Sequence, residues 1–309
     1  MSIDTIKKPL VLEIRGNSLD DGPGIRSVVF FKGCPLSCAW CHNPESKSVN
    51  AEIAFDAREC VGCYTCIPAC GRKALSRKNA GFIDREKCDL CFACAQACPS
   101  GALARVGRDM TVNEIVRALL RDKPFYDTSG GGVTLSGGEP ALFIEFASEL
   151  LARLHKEKVH TLIETCGFFD YDEFSALVLP HLDAVYFDIK LIDGDAHRKF
   201  IGVPNARVLE NFTRLLADAS RAKTELLPRT PLVPGITDTD SNLAGIADFL
   251  ARLGVKKAAL MQYNPLWHDK AVKIGAPDRF ADDPAMSAWM DRENLRRCRE
   301  IFAVRGIVT

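Results

Sequence analysis

The chain has 309 residues, with 40 basic and 40 acidic side chains and a formal net charge of +0. Without a basic excess to neutralise phosphates, it does not read as an electrostatic nucleic-acid binder, and no run of about 18 apolar residues marks a membrane span. It is too long for one small core, which points to a large domain carrying an extra piece.

At the N-terminus, MSIDTIKKPLVLEI has too short an apolar run, and no cleavage site, for a secretory signal. A cytoplasmic protein is expected. Eleven of the 13 cysteines fall in tight C-x-x-C or C-x-x-x-C runs, a usage that suits metal ligation in a reducing compartment better than disulfides. Asp21-Gly22-Pro23-Gly24 reads first as a turn. A short apolar strand, Val28–Phe31, then leads into CPLSCAWC, with Cys34, Cys38 and Cys41. Three thiolates at this spacing hold only three irons of a [4Fe–4S] cube, whereas such clusters normally take four cysteines. The fourth iron is left for another ligand, so the three cysteines are candidate catalytic residues. A zinc ion would need a fourth protein ligand, or a water with catalytic partners. His42, adjoining Cys41, is badly placed to close that tetrahedron.

An internal repeat follows. Cys60, Cys63, Cys66 and Cys70 recur at a constant offset as Cys88, Cys91, Cys94 and Cys98. Each half reads C-x2-C-x2-C-x3-C, the bacterial two-cluster ferredoxin pattern, whose fourth cysteine ligates the other cluster. The expected sets are therefore Cys60, Cys63, Cys66 and Cys98 for one [4Fe–4S] cluster, and Cys88, Cys91, Cys94 and Cys70 for the other. Proline follows the fourth cysteine only in the second half (Pro99; the first has Gly71). Zinc fingers are the alternative. Residues 52–104 are expected to form this ferredoxin-like insert, and 1–51 with 105–309 the main domain.

Beyond the insert, Thr111 and Glu114 read as a capping box opening a helix with Ile115, Val116, Leu119 and Leu120 on one face. Strand-like runs follow at Val133–Leu135, Val159–Ile163, Ala184–Phe187, Thr224–Leu227 and Lys257–Gln262. Helical patterns alternate with them, as in Phe146, Leu150 and Leu154, in Val208, Phe212 and Leu215, and in Leu243, Ile246 and Leu250, the last closed by Gly254. Repeated βα units imply an α/β fold with a parallel sheet, and six strands fit a partial (β/α)6 barrel. In such folds chemistry sits at the C-terminal ends of strands. The polar motifs fall there: Ser136-Gly137-Gly138-Glu139-Pro140, Glu164-Thr165-Cys166-Gly167, Asp188-Ile189-Lys190, Arg229 after the fifth strand, and Tyr263-Asn264 after the sixth. Each has a plainer alternative. Pro140 suits a helix start, and Asp188 with Lys190 makes a strand-end ion pair. Cys298, within 292–301, reads as a packed helical thiol. No role is assigned to Cys166, and the six histidines show no metal-ligand spacing.

The three-cysteine motif, with Trp40 before its third cysteine, resembles the radical S-adenosylmethionine superfamily. The longer stretch SLDDGPGIRSVVFFKGCPLSCAWCHNPE (Ser18 to Glu45) resembles the activating enzymes of glycyl radical enzymes, as do PRTPLVPGITD (Pro228 to Asp238) and YNPLW-x-x-K (Tyr263 to Lys270). The resemblance implies the partial-barrel fold and the activity. S-adenosylmethionine would bind the open iron through its amino and carboxylate groups. An electron would then cleave it to methionine and a 5′-deoxyadenosyl radical, which takes a hydrogen from a backbone glycine in the C-terminal glycyl loop of a partner enzyme. Trp40, Gly137, Gly138, Glu139, Asp188, Lys190, Arg229 and Asn264 would then contact the cofactor, with Glu139 accepting from its ammonium. Asp188, Glu164 and Thr165 would form a monovalent-cation site, although many relatives have aspartate where Glu164 stands. Asp21 would grip the glycyl loop. An anaerobic setting, a monomer and an external low-potential reductant such as flavodoxin or ferredoxin complete this expectation. Two other readings are a radical S-adenosylmethionine enzyme acting on a different substrate, and an iron–sulfur electron-transfer protein.

Overall fold

The computed structural model describes residues 8–309; the first seven residues of the stretch read for a leader lie outside the described residues. Among the described residues nine strands form, β1 (Leu10–Ser18), β2 (Arg26–Lys32), β3 (Glu52–Phe55), β4 (Leu103–Val106), β5 (Gly132–Gly137), β6 (His160–Thr165), β7 (Ala184–Asp188), β8 (Glu225–Pro231) and β9 (Ala259–Met261). Seven of them make one sheet in the order β1-β2-β5-β6-β7-β8-β9, while β3 and β4 make a separate pair. From β2 to β9 every pairing in the large sheet is parallel.

All six strands expected from periodicity are present. The edge strand β1, antiparallel to β2, was not anticipated. Only Val11 of its nine residues is buried, so its hydrophobic alternation is too faint to announce a strand. Arg229 lies within β8 rather than after it.

Side chains alternate between the two faces of a strand. One face of the sheet carries Val29, Phe31, Val133, Leu135, Ile163 and Val185 into the main core. The helices packed there include α3 (Val112–Leu119), which follows two short helices, α1 (Cys66–Ala69) and α2 (Ala93–Gln96), in the cysteine-rich segment. After α4 (Lys123–Ser129) come α5 (Ile144–Lys156), α6 (Tyr171–Leu177), α7 (Gly194–Ile201), α8 (Ala206–Ala222), α9 (Asp240–Arg252), α10 (Trp267–Ile274) and α11 (Arg292–Ala303). The Thr111–Glu114 capping box forms as expected at α3, and Cys298 is buried on α11. Among the described residues no helix is long and apolar enough to cross a membrane.

The cysteine-rich segment closes on itself. β3 pairs antiparallel with β4, Glu52 opposite Val106, and Ile53, Leu75, Phe82, Ile83 and Leu103 form a small core with Cys66 and Cys94. The segment is tied to α10 by Lys273 with Asp56 (2.6 Å) and by Arg58 with Asp269 (2.9 Å). Arg85 donates to the carbonyls of Ile53 (3.0 Å) and Lys273 (3.2 Å). Gly275 ends α10 at φ +64°, and a Cβ there would lie 2.1 Å from Arg85 Nε. Glycine is needed for both reasons.

Candidate active site

The loop carrying Cys34, Cys38 and Cys41 is held on three sides. Gly33 and Cys34 donate backbone N–H bonds to the carbonyls of Ser46 (2.7 Å) and Lys47 (3.2 Å). Ser37 and Ala39 donate to Ile201 (2.9 Å) and Phe200 (2.8 Å) at the end of α7. Lys270 donates to the His42 carbonyl (3.1 Å) and Asn43 Oδ1 (2.8 Å), which gives the lysine of the YNPLW-x-x-K stretch a definite task. The loop bounds a cavity of ≈ 220 Å³ lined by all three cysteines, Trp40, Gly137, Gly138, Glu164, Thr165, Asp188, Lys190 and Arg229. These expected site residues, from the loop after β2 and the ends of four further strands, are thus brought together. Burial pushes the Cys38 thiol up to about 12 and Cys41 up to about 11, against the pull of Lys190 and Lys47. Cys34 is drawn below its ordinary value, chiefly by a hydrogen bond with Cys166.

The glycines of the GGEP stretch serve the chain before any ligand. Gly138 donates to the Phe31 carbonyl (2.8 Å) and Glu139 to that of Gly33 (2.8 Å). A Cβ on Gly138 would lie 2.1 Å from the Gly33 oxygen, and Gly137 has φ +108°. Glu139 is held by the protein itself. It is fully buried, and its carboxylate accepts from Ala141 N (3.0 Å), Thr165 Oγ1 (2.9 Å) and Cys166 N (2.6 Å). The carboxylate is spent on tying the β5 loop to the end of β6, not turned to the cavity. Burial pushes its pKa up, and these bonds oppose the rise.

A charged row crosses the cavity wall. Asp188 and Arg229 are register partners on β7 and β8. Arg229 donates to Asp188 Oδ1 (3.0 Å) and to Glu164 Oε1. Lys190 donates to Asp188 Oδ2 (3.0 Å), and Ser136 to Glu164 Oε2 (2.6 Å). The four charged side chains are only 10–17% exposed, and two carboxylates face two cations. Burial alone would raise the Asp188 carboxyl, but Lys190 and Arg229 outweigh it and hold it below its ordinary value. Asp188, Glu164 and Thr165, expected to form a monovalent-cation site, have protein partners here. The Arg229 guanidinium already bridges Glu164 and Asp188, while the Thr165 hydroxyl faces Glu139.

Two expected residues lie elsewhere. Asn264 does not line the cavity, and its Oδ1 accepts from Leu266 N (3.3 Å). Asp21 precedes β2, at the opposite end of the strand from the cysteine loop. Ser18 donates to its carboxylate, and Thr134 Oγ1 donates to its carbonyl (2.7 Å). The turn is anchored by Arg26, fully buried, which donates to Thr134 Oγ1 (2.9 Å), the Val133 carbonyl (2.8 Å) and the Pro23 carbonyl (3.1 Å). Burial draws its guanidinium down to about 10. Sequence reasoning gave no role to Ser136, His42 or Cys166, which line the cavity. Their positions, in or beside strand-end motifs, were the only signal.

In the cysteine-rich segment, Cys60, Cys63, Cys66 and Cys98 line one small cavity. Cys70, Cys88, Cys91 and Cys94 line another. Each set takes three thiols from one half of the repeat and one from the other, the crossed arrangement expected of the spacing.

A strand-end cavity with three thiols on the loop after the first parallel strand defines a class. A family model described as the Radical SAM superfamily matches residues 28–250, and the chain belongs to that superfamily. A radical SAM methyltransferase from Sphaerobacter thermophilus shares the fold at TM-score 0.52 and 14% identity, over 96% of this chain and 75% of that one. Closer in sequence are activating enzymes. The chain is 39% identical over 300 residues to the isethionate sulfite-lyase activating enzyme of Nitratidesulfovibrio vulgaris, covering 95% of each. It is 41% identical over 253 residues to the benzylsuccinate synthase activating enzyme of Thauera aromatica, covering 80% of this chain and 75% of the relative. Within the superfamily the chain falls among the glycyl radical enzyme activating enzymes.

Proposed function

We propose that this protein generates the glycyl radical of a partner enzyme, using S-adenosylmethionine in the cavity between the Cys34–Cys41 loop and the charged row. The observation that carries the reading is the convergence of three loop thiols and four charged side chains on one cavity. Cys34, Cys38 and Cys41 would hold a [4Fe–4S] cluster. With S-adenosylmethionine bound, it supplies a low-potential electron and a primary carbon radical able to take hydrogen from a glycine Cα. Lys190 has three donors and one carboxylate partner among the described residues, which leaves capacity for the methionyl carboxylate. Gly137 and Gly138 offer backbone close to the ligand. Leu36, Trp40 and Met261 supply apolar wall that limits water, so that positioning directs an otherwise unselective radical.

The sheet stays open, since β1 and β9 form its two edges without pairing to each other, and the six parallel strands act as a partial barrel. Asp21 adjoins Thr134, two residues before Ser136 on the same face, so a glycyl loop laid along that face towards the cavity would pass it. The two cysteine quartets would hold two further [4Fe–4S] clusters in a ferredoxin-like insert, served by a flavodoxin or ferredoxin. Anaerobic reconstitution, reduction, and an assay for 5′-deoxyadenosine test the reading. Product from the intact protein and none from Cys38→Ala is expected. No product from a fully iron-loaded protein would leave only an electron carrier.

A further inference from the structure

Between the cysteine-rich segment and the active-site loop lies a crevice of ≈ 420 Å³. One wall is Cys88 and Leu90. The other includes Pro44 and Lys47, from the chain leaving the Cys34–Cys41 loop, and Gly275. Cys88 has a double position, because it also lines the cavity of its own quartet. Lys47 is equally double-sided. It reaches the crevice, and its carbonyl accepts the Cys34 N–H at 3.2 Å. A single residue therefore spans from the neighbourhood of Cys88 to the backbone of the first active-site cysteine.

The other quartet faces outward. Cys60 and Cys63 are both exposed, with Val61 between them 69% exposed, whereas in the Cys88 quartet Cys91 alone is exposed. The two quartets adjoin, since Cys66 sits on α1 and Cys94 on α2, and these helices pack together. The Arg85 clamp fixes the segment against α10, so the crevice has a set width.

We infer that electrons enter at the exposed Cys60 quartet, pass to the Cys88 quartet, and cross the crevice to the Cys34–Cys38–Cys41 loop with Lys47 as the bridging residue. This rests on the three-cluster reading proposed above. One electron leaves a low-potential carrier protein, which is oxidised, and arrives at the loop cluster, which is reduced. No bond forms or breaks and no proton moves. Lys47 acts as a positioning residue, its positive charge favouring the extra electron at the loop.

The test mixes iron-loaded holoenzyme with photoreduced flavodoxin, freeze-quenches it, and resolves the clusters by electron paramagnetic resonance. In Lys47→Gln the loop cluster should be reduced about tenfold less, relative to the other two, which equals about 59 mV for one electron. Lys47→Arg should restore it. In Cys88→Ser the Cys60 quartet should still be reduced while the loop cluster stays oxidised. Equal reduction of the loop cluster in all forms would overturn the route. A protein that binds about four irons instead of about twelve, with the loop cluster intact, would instead overturn the three-cluster reading.

Discussion

Replacing Arg229 by methionine removes the cation that Glu164 and Asp188 share. The row balances two carboxylates against Arg229 and Lys190, so the variant keeps Lys190 on Asp188 and leaves Glu164 with only the Ser136 hydroxyl. These side chains are 10–17% exposed, so the cost is that of an uncompensated buried charge, about 3–5 kcal/mol. Cluster-bearing proteins do not unfold in one step, so the suitable assay is amide hydrogen exchange along β6, β7 and β8. Exchange there should quicken by about a hundredfold to a few thousandfold. Adding Glu164→Gln restores charge balance and should recover most of the protection. The pH dependence has a definite sign. In the intact protein Asp188 is held below its ordinary value, so its contribution is present above roughly pH 3.9 and is lost as pH falls through the lowered value. Unchanged exchange in Arg229→Met, or a further loss on adding Glu164→Gln, would refute the assignment of Arg229 as the shared counter-ion.

Three further outcomes follow from the same geometry. Because burial holds Cys38 and Cys41 protonated, at about 12 and about 11, iron loading should release protons and strengthen with rising pH; a pH-stat trace flat during reconstitution would contradict this. Gly138→Ala places a Cβ against the Gly33 carbonyl, 2.1 Å away, and should cost about 1–3 kcal/mol while weakening S-adenosylmethionine binding, as read by calorimetry; wild-type affinity would show that the loop adapts freely. Lys270→Met frees the His42 carbonyl and Asn43, and should broaden the resonance signal of the loop cluster while leaving those of the other clusters sharp. A loop-cluster signal as narrow as in the intact protein would remove Lys270 from that role.

The βα alternation was legible because each parallel strand is a compact apolar run and each helix keeps a 3.6-residue pattern. β1 was not, since an edge strand with one buried residue carries little pattern. Strand-end positions located the cavity correctly for Cys34, Ser136, Glu164, Asp188 and Arg229. What residue types at strand ends do not encode is where each side chain points. Glu139 turns inward to Thr165 and Cys166, and Arg229 bridges the carboxylates of Glu164 and Asp188. Both depend on strand register, Asp188 opposite Arg229, which no short motif specifies. Cys166 and His42 escaped because a lone thiol and a lone imidazole have too many ordinary uses.

The β3–β4 pair has a consequence for how such a chain is assembled from parts. Glu52 and Val106 face each other, as do Phe55 and Leu103, so the whole cysteine-rich segment hangs from a two-stranded stem. Seen from the large sheet, some fifty residues occupy the place of a hairpin tip. A tight turn joining Phe55 to Leu103 would leave both stem strands in register and the path from β2 to β5 unbroken. The cysteine-rich segment is thus removable without re-threading the catalytic frame, and the same socket accepts a longer or shorter segment. Chains of this architecture are free to exchange what hangs from the stem while the large sheet and its cavity stay fixed.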